Sequence, residues 1–300
     1  MRHHSSAFQT FIAPAKTRPQ VWRFLLCTVF AVTVYMAFTV GLLEALYAAE
    51  LGTVIPDQLE RGTTRLSLAL ILFTFAGMVL GLLGSLFLFY HRGLGSLVGP
   101  FDKAWKDFFR AAGIFAIVSC LLGVPLLWMV GISPNQSLSS VLIFLPLIVL
   151  LVLLQTGAEE LFFRGFVLQQ MAARFKSPWI WLISPSIVFG LLHYDSAISP
   201  ERAFGIMASI TLTGILLGDL TRRTGNIGAA YGWHFSNNLL IITGVGFNDY
   251  VNGFSWKVLN FGYADAPLYF FALDVLGSLL TWAILLKVFS REAVQDQCQS

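Results

Sequence analysis

Long apolar stretches dominate this 300-residue sequence and limit its possible folds more than any other feature. A helix that crosses a bilayer needs about 20 apolar residues. Hydrophobic residues make up 56% of the chain and charged residues only 12%, whereas a soluble domain carries roughly 25% charged residues. So little charge cannot cover the surface of a soluble globule. The sequence therefore predicts an all-α, polytopic transmembrane helix bundle of about eight spans. The eight candidate segments are 21–49, 66–90, 108–132, 139–168, 178–193, 203–221, 226–246 and 266–288.

Clusters of Pro, Gly and charged residues separate these segments, and no linker is long enough to isolate a soluble domain. We therefore expect one membrane domain at 21–290. The polar motifs described below define a core within it, at about 139–246. Residues 1–20 and 291–300 are predicted to be cytoplasmic tails.

The distribution of Lys and Arg predicts the orientation of the bundle. With an even number of spans both termini share one side, and 14 of the 19 Lys and Arg residues fall on that side, against 4 on the other. The positive-inside rule therefore places both termini in the cytoplasm. The formal net charge of +3 is small and spread over the loops, which does not indicate a nucleic-acid partner.

Two adjacent carboxylates and an arginine follow the apolar run 141–154 in the fourth segment. Residues four apart share a helix face, so Glu160 and Arg164 can form an ion pair. Glu159 points about 100° away and is predicted to have no partner in its own helix. A free carboxylate in a low-dielectric site is suited to general-base chemistry.

Two further polar groups lie in later segments. His193 ends the fifth segment, while His234 and Asn238 lie one turn apart in the seventh. His and Asn side chains can donate hydrogen bonds to a developing oxyanion. A hairpin that turns near 175–178 places Glu159 and His193 at the same level, since each is about 15 residues from the turn. We expect the groups to meet in the cytoplasmic half of the bilayer, with this hairpin projecting into the cytoplasm.

Each group also has a purely structural interpretation. The Glu160–Arg164 pair can serve stability alone, and His193 can be a core histidine with its hydrogen bonds satisfied. His234 and Asn238 can hold helices together by hydrogen bonds. Because ionisable groups are costly inside a membrane, their joint occurrence favours a functional site.

Three other carboxylates belong to no motif. We expect structural roles for Glu44 and Asp274. Asp219 lies near a helix end beside Arg222 and Arg223 and is expected to be solvated.

The motifs EExxxR at Glu159–Arg164, FxxxH at Phe189–His193 and HxxxN at His234–Asn238, in this order, resemble the CPBP family. This family contains the type II CAAX prenyl endopeptidases and the Abi-type, bacteriocin-processing or immunity proteins. The resemblance covers about 140–245 and implies an intramembrane protease. It implies water activation by Glu159 and His193, support of the site by Glu160 and Arg164, and an oxyanion hole formed by His234 and Asn238.

The implied reaction is hydrolysis of a peptide bond near the cytoplasmic membrane face. The residues leave two mechanisms open, of which we favour a glutamate-activated water without a cofactor. The alternative is a zinc ion held by Glu159, His193 and His234. No HExxH motif is present, and zinc ligation would remove His234 from the oxyanion hole.

The expected partners are membrane lipid and a peptide or membrane-protein substrate, and the expected location is a prokaryotic inner membrane. A non-catalytic alternative also remains open. The chain can be an immunity or scaffold protein, or a proton-coupled transporter whose Glu and His side chains relay protons. The sequence shows no internal repeat of the kind that many transporters carry, and cleavage of a defined substrate would separate these classes.

Overall fold

The structure is a computed structural model that describes residues 5–48 and 61–299, with side chains described up to residue 290. Almost all of it is helical. A small three-stranded sheet, in the order β1-β3-β2, joins three loop segments. The helices are α1 (Ser6–Lys16), α2 (Val21–Ala48), α3 (Arg65–Tyr90), α4 (Gly95–Val98), α5 (Phe101–Val130), α6 (Leu138–Arg174), α7 (Trp179–Leu191), α8 (Pro200–Thr224), α9 (Gly228–Thr243) and α10 (Leu268–Gln299). The strands are β1 (Ile132–Pro134), β2 (Val245–Gly246) and β3 (Lys257–Leu259).

The predicted all-α, polytopic fold class is confirmed. Within the described residues, six helices are long and apolar enough to cross a membrane, namely α2, α3, α5, α6, α8 and α10. The other two predicted segments also form helices, but α7 has 13 residues and α9 has 16. At 1.5 Å per residue they measure about 20 and 24 Å, less than the roughly 30 Å of a bilayer core.

Local sequence signals explain where several helices begin and end. The Ser137 side chain accepts a hydrogen bond from the backbone N–H of Ser140 and caps α6, whereas Thr64 and Ser67 form a reciprocal capping box at the start of α3. Helix α8 ends at Gly225, whose positive φ of 71° suits glycine. These caps satisfy backbone groups that a helix leaves without partners.

The helix directions place both ends of the described chain at the same end of the bundle. Helices α8 and α10 run parallel, because Ser209 bonds to Asp274 and Asp219 bonds to Trp282 further along both helices. We name the end with the turns at 91–100, 175–178 and 225–227 the termini end. The loop end carries the loops 192–199 and 244–267 together with the small sheet.

Glycine pairs spaced four residues apart allow close helix packing at three interfaces. An added Cβ on Gly228 or Gly232 of α9 would overlap backbone carbonyl oxygens of α5. In the same way Gly81 of α3 lies against the Ala31 backbone of α2. Gly214 and Gly218 of α8 pack against α7. Small residues let helix backbones approach closely in membranes. The pair Gly228 and Gly232 therefore helps to position α9, which carries two of the motif residues.

We expect Gly232→Ala to destabilise the protein by about 1–3 kcal/mol, the usual cost of overpacking. The reason is that the new methyl group would meet the Phe108 carbonyl oxygen, a backbone atom that cannot rotate away. Gly123→Ala in α5 is the matched control, because a Cβ at Gly123 meets nothing within 4 Å. Thermal unfolding in detergent measures both, and equal melting temperatures would contradict the close α5–α9 contact.

The segment predicted as an N-terminal tail contains helix α1, which packs beneath the α6–α7 hairpin. Phe8, Phe11 and Ile12 of α1 are buried in one cluster with Trp181 and Ile227. The buried apolar residues of α1 recur at helical spacing. The other residues of this stretch are mostly polar or basic, so its overall composition does not indicate a packed helix. At the other end, the backbone of α10 remains helical through Gln299, beyond the predicted membrane boundary.

Candidate active site

The first motif of the candidate site, Glu159–Arg164, lies where α6 changes from α-helical to π-helical geometry. The α-helical part of α6 ends at Glu160, and residues Leu161–Val167 form a π-helical turn. Such wider turns occur often at functional sites. Gly165 in this turn lies against Leu97, where a Cβ would come within 2.8 Å of the Leu97 Cβ.

Glu160 connects two helices through one carboxylate oxygen. Its Oε1 atom accepts hydrogen bonds from Arg164 Nη1 and from His234 Nδ1, both at 2.8 Å. The predicted ion pair within α6 is therefore present, and it is buried, since the side chains of Glu160 and Arg164 are 0% and 4% exposed. A carboxylate can only accept, so His234 carries its proton on Nδ1. The other ring nitrogen, Nε2, is left to face Glu159.

Glu159 has a partner in its own helix, and the prediction that it has none is wrong. Gln155, one turn earlier, donates from Nε2 to Glu159 Oε2 at 2.8 Å. His234 Nε2 lies 3.4 Å from the same oxygen. Gln155 follows the apolar run 141–154 and is uncharged, so a search for ionisable groups does not find it. Its spacing of four residues before Glu159 is the signal that identifies it.

Gln155 also joins α6 to α9. Its Oε1 atom accepts a hydrogen bond from Asn238 Nδ2 at 2.8 Å. Asn238 Nδ2 is 3.5 Å from His234 Nε2, as expected for side chains one turn apart on one face of α9. The amide of Gln155 thus orients both Glu159 and Asn238, and the first and third motifs form one hydrogen-bonded cluster.

His193 follows the end of α7 and faces the same cavity as Glu159. Its Nδ1 atom lies 2.8 Å from the Phe189 carbonyl oxygen. That oxygen can only accept, so a neutral His193 has its proton on Nδ1 and a free acceptor at Nε2. The Phe189 ring packs against both histidines, with its centroid 5.0 Å from that of His193 and 6.1 Å from that of His234. It also contacts Arg164, whose guanidinium carbon lies 4.7 Å from the Phe189 ring centroid. The FxxxH spacing therefore places an aromatic spacer between the two histidines.

The polar cluster lies on the wall of a cavity of about 790 Å³. Gln155, Glu159, His193, His234 and Asn238 all line this cavity. Its remaining wall extends from the level of the cluster to the loop end. Members of that wall include Leu72 and Phe75 of α3, Ser209 and Thr213 of α8, Asp274 and Ser278 of α10, and Asp195, Ser196, Asp249, Tyr250 and Tyr263 of the loops.

Two tyrosines, Tyr250 and Tyr263, lie in the wall at the loop end of this cavity. Burial raises the pKa of both Tyr250 and Tyr263, and the nearby charge of Asp195 raises it further. Their rings stack, with centroids 4.7 Å apart. Neutral aromatic side chains thus line this part of the wall together with aspartates.

Among the described residues, no three His, Cys, Asp or Glu side chains converge as ligands of one ion. The three proposed zinc ligands were Glu159, His193 and His234. In His234, Nδ1 bonds to Glu160 and Nε2 lies 3.4 Å from Glu159 Oε2, and in His193, Nδ1 bonds to the Phe189 carbonyl oxygen.

The carboxylates outside the motifs have different surroundings. Asp219 is not solvated as expected, because it is only 14% exposed and is bound by Arg222, Arg223 and the Trp282 indole. Asp274 accepts a hydrogen bond from Ser209 and lines the cavity. Glu44 is exposed on α2.

Comparison with known proteins shows that the core of this chain is similar to a protease family. Residues 140–240 match the family model described as type II CAAX prenyl endopeptidase Rce1-like. The match contains all three motifs and confirms the resemblance to the CPBP, or CAAX protease, family. It covers about a third of the chain.

A curated relative is similar over a comparable length. The uncharacterized protein YyaK of Bacillus subtilis (strain 168) is 34% identical over 92 residues, which is 31% of each chain. The alignment thus spans less than a third of that relative. No solved structure gives a significant match.

Proposed function

We propose, on the premise of this protease family, that the protein is an integral membrane endopeptidase that hydrolyses peptide bonds with a water activated by Glu159 and His193. The observation that carries the proposal is the convergence of three motifs from α6, α7 and α9 at one cavity wall. Placing ionisable groups inside a membrane bundle costs free energy. Proteins that keep several of them together there usually use them for a function.

Water activation is assigned to the two groups that face the cavity with an available acceptor. Glu159 is held by Gln155, and His193 has Nε2 as its acceptor. A water between them loses a proton to Glu159 as its oxygen attacks the peptide carbonyl carbon. When the C–N bond breaks, the same proton passes to the leaving amine nitrogen.

The oxyanion is assigned to His234 and Asn238. Because Nδ1 of His234 already donates to Glu160, Nε2 carries a proton only in the imidazolium form. Asn238 uses one Nδ2 hydrogen for Gln155 and retains the other for the oxyanion. Arg164 and Gln155 act as positioning residues.

The depth of the cluster supports cleavage in the half of the membrane nearest the termini. His234 lies six residues into α9, or about 9 Å from its start. Gly214, whose carbonyl oxygen is 3.5 Å from Arg164, lies about 15 Å from the termini end of α8 and about 21 Å from its other end. Lys and Arg residues are concentrated on the side of the termini, and such residues favour the cytoplasmic side. We therefore propose that the termini and the membrane face nearest the cluster are cytoplasmic. We also propose that the membrane is a prokaryotic inner membrane.

We expect a strong chelator to leave the activity of the purified protein unchanged, because the proposed mechanism needs no metal. The measurement is cleavage of a model peptide before and after chelation, combined with determination of bound metal. Zinc affinity depends on deprotonated ligands, so the assay should be repeated at a higher pH. Stoichiometric zinc, with activity lost on stripping and restored on re-addition, would overturn the glutamate–water mechanism and leave the protease proposal intact.

The protease proposal itself is tested in cells by quantitative membrane proteomics. A strain with the wild-type protein is compared with a strain that carries Glu159→Gln, and immunoblotting verifies equal protein amounts. We expect a peptide fragment that depends on Glu159 and returns when the wild-type gene is restored. Identical fragment profiles in both strains would favour the non-catalytic immunity, scaffold or transport alternatives.

A further inference from the structure

Several arginines gather without a carboxylate at the termini end, where α2 begins at Val21 and α3 ends at Tyr90. Within the described side chains, none of the four forms an ion pair with Asp or Glu. They are Arg18, Arg23, Arg92 and Arg174. The two arginines at the end of α8 differ in this respect, because both bind Asp219. Positive charge therefore accumulates around the end of α3.

Two of these guanidinium groups share one acceptor. Arg18 Nη1 and Arg23 Nη1 both donate to the Phe89 carbonyl oxygen, at 3.3 and 2.8 Å. Like charges held this close repel each other, and the repulsion is stronger at a partly buried position than in water. An anion bound beside them would be attracted by both groups and would offset their repulsion.

Tyr90, the next residue, connects the other two arginines to this pair. Its side chain is buried, and the charges of Arg92 and Arg174 both act on its hydroxyl. Arg92 donates to Gln169 and Arg174 donates to Gln170, which are neighbours in α6. The arginine cluster, defined as Arg18, Arg23, Tyr90, Arg92, Gln170 and Arg174, thus joins the ends of α2, α3 and α6.

Four buried atoms of the arginine cluster can donate a hydrogen bond and have no partner of ordinary geometry among the described residues. They are Arg23 Nε, Tyr90 Oη, Arg92 Nη1 and Gln170 Nε2. Tyr90 is 3% exposed and Gln170 is fully buried. Buried polar groups in proteins are normally hydrogen-bonded. Because all four atoms are donors in a region of positive charge, they indicate a ligand that is an anion with several acceptor oxygens.

The arginine cluster lies at the level where lipid headgroups meet the bilayer core. Exposed apolar side chains begin within one turn of it, or about 5 Å, on both long helices: Trp22, Leu25 and Leu26 of α2, and Phe87 and Leu88 of α3. Basic pockets between transmembrane helices bind the headgroups of anionic lipids. The apolar faces beside the cluster favour a lipid over a free anion.

We propose that the arginine cluster binds the phosphate group of an anionic membrane phospholipid, whose acyl chains lie along α2 and α3. Guanidinium groups bind phosphate through paired N–H donors. The described part of the cluster has no carboxylate to balance the ammonium group of a zwitterionic lipid, so a lipid with net negative charge is preferred. The bound phosphate links three helix ends and stabilises the bundle. This inference goes beyond the proposed function and does not depend on it.

Lipid binding to the purified full-length protein in neutral detergent tests the proposal. The probes are phosphatidylglycerol, which is anionic, phosphatidylcholine, which is zwitterionic, and inorganic phosphate. Native mass spectrometry measures the affinity for each lipid, and thermal unfolding measures the stabilisation by each probe. We expect phosphatidylglycerol to bind more tightly and to raise the melting temperature more than the other two. Equal effects of both lipids, or the full shift with inorganic phosphate alone, would overturn the proposal.

Single variants locate the binding site. Arg18→Gln and Arg23→Gln should each weaken phosphatidylglycerol binding about fivefold, the usual contribution of one arginine near anionic headgroups, and leave phosphatidylcholine binding unchanged. Arg223→Gln is the matched control, because it removes the same charge at the termini end from a side chain that Asp219 already binds. If Arg223→Gln weakened binding as much as Arg23→Gln, the attraction would depend on total charge and the cluster would not be the site.

Tyr90→Phe keeps every charge and removes only the buried hydroxyl. Since that hydroxyl has no hydrogen-bond partner of ordinary geometry in the described protein, we expect no lower melting temperature in lipid-free detergent. A hydrogen bond to a charged group contributes enough for an affinity loss of about tenfold, and we expect this loss for phosphatidylglycerol. An unchanged phosphatidylglycerol affinity of Tyr90→Phe would contradict the proposed site, whatever its melting temperature.

Discussion

The Glu159→Gln variant is expected to lose about 10²–10⁴-fold in turnover, the usual contribution of a general base, while accumulating normally in the membrane. Gln has nearly the shape of Glu, and its amide oxygen can still accept the hydrogen bond that Gln155 donates to Glu159. The neutral amide cannot accept a proton from water. Cleavage of the fragment identified by proteomics, or of a peptide that covers its cleavage site, measures the loss.

Glu44→Gln is the control for this experiment. It removes the same charge from an exposed position on α2, outside the polar cluster, and should leave turnover close to that of the wild type. A Glu159→Gln variant that retains activity within a few-fold of Glu44→Gln would show that another group activates the water. The amount and melting temperature of both variants must match the wild type for the comparison to be valid.

Breaking the Glu160–Arg164 pair should lower both stability and activity. Truncating one member of a buried pair costs about 3–5 kcal/mol, because the remaining charge stays buried without its partner. Glu160 is fully buried and its Oε1 atom binds both Arg164 and His234. Arg164→Ala therefore leaves Glu160 without its guanidinium, and Glu160→Gln removes the charge that holds His234. We expect reduced yield and a lower melting temperature for each.

The matched control is Arg223→Ala, which breaks a pair of the same spacing at a more exposed position. Arg223 binds Asp219 four residues earlier and is 43% exposed. Surface pairs contribute about 0–1 kcal/mol, and Asp219 keeps Arg222 and Trp282 as partners. If Arg164→Ala were no more destabilising than Arg223→Ala, the buried pair would not support the site.

Spacing along one helix was the part of the site that could be predicted from the chain. The four-residue spacing brought Glu160 to Arg164 and His234 to Asn238, since helix geometry alone decides which neighbours share a face. The same rule also connects Gln155 to Glu159. An amide beside an apolar run carries no charge and gives no signal of a polar site, which is why the sequence predicts no partner for Glu159.

Contacts between helices could not be predicted in this way. The hydrogen bonds from His234 to Glu160 and from Asn238 to Gln155 depend on how α9 is rotated and how closely it approaches α6. That position is determined in part by Gly228 and Gly232 against α5. A sequence identifies such glycines as packing residues but does not state which helix they contact.

Composition and periodicity by themselves determined that this chain is a membrane-embedded helical bundle, because 12% charged residues cannot solvate a soluble surface. They also determined which residues carry the motifs. Only the tertiary structure decided that the residues of the three motifs line one cavity and that α1 packs against the α6–α7 hairpin. The physical reason is that contacts between helices depend on their relative rotation and depth, whereas spacing in the sequence determines only which residues share a face of one helix.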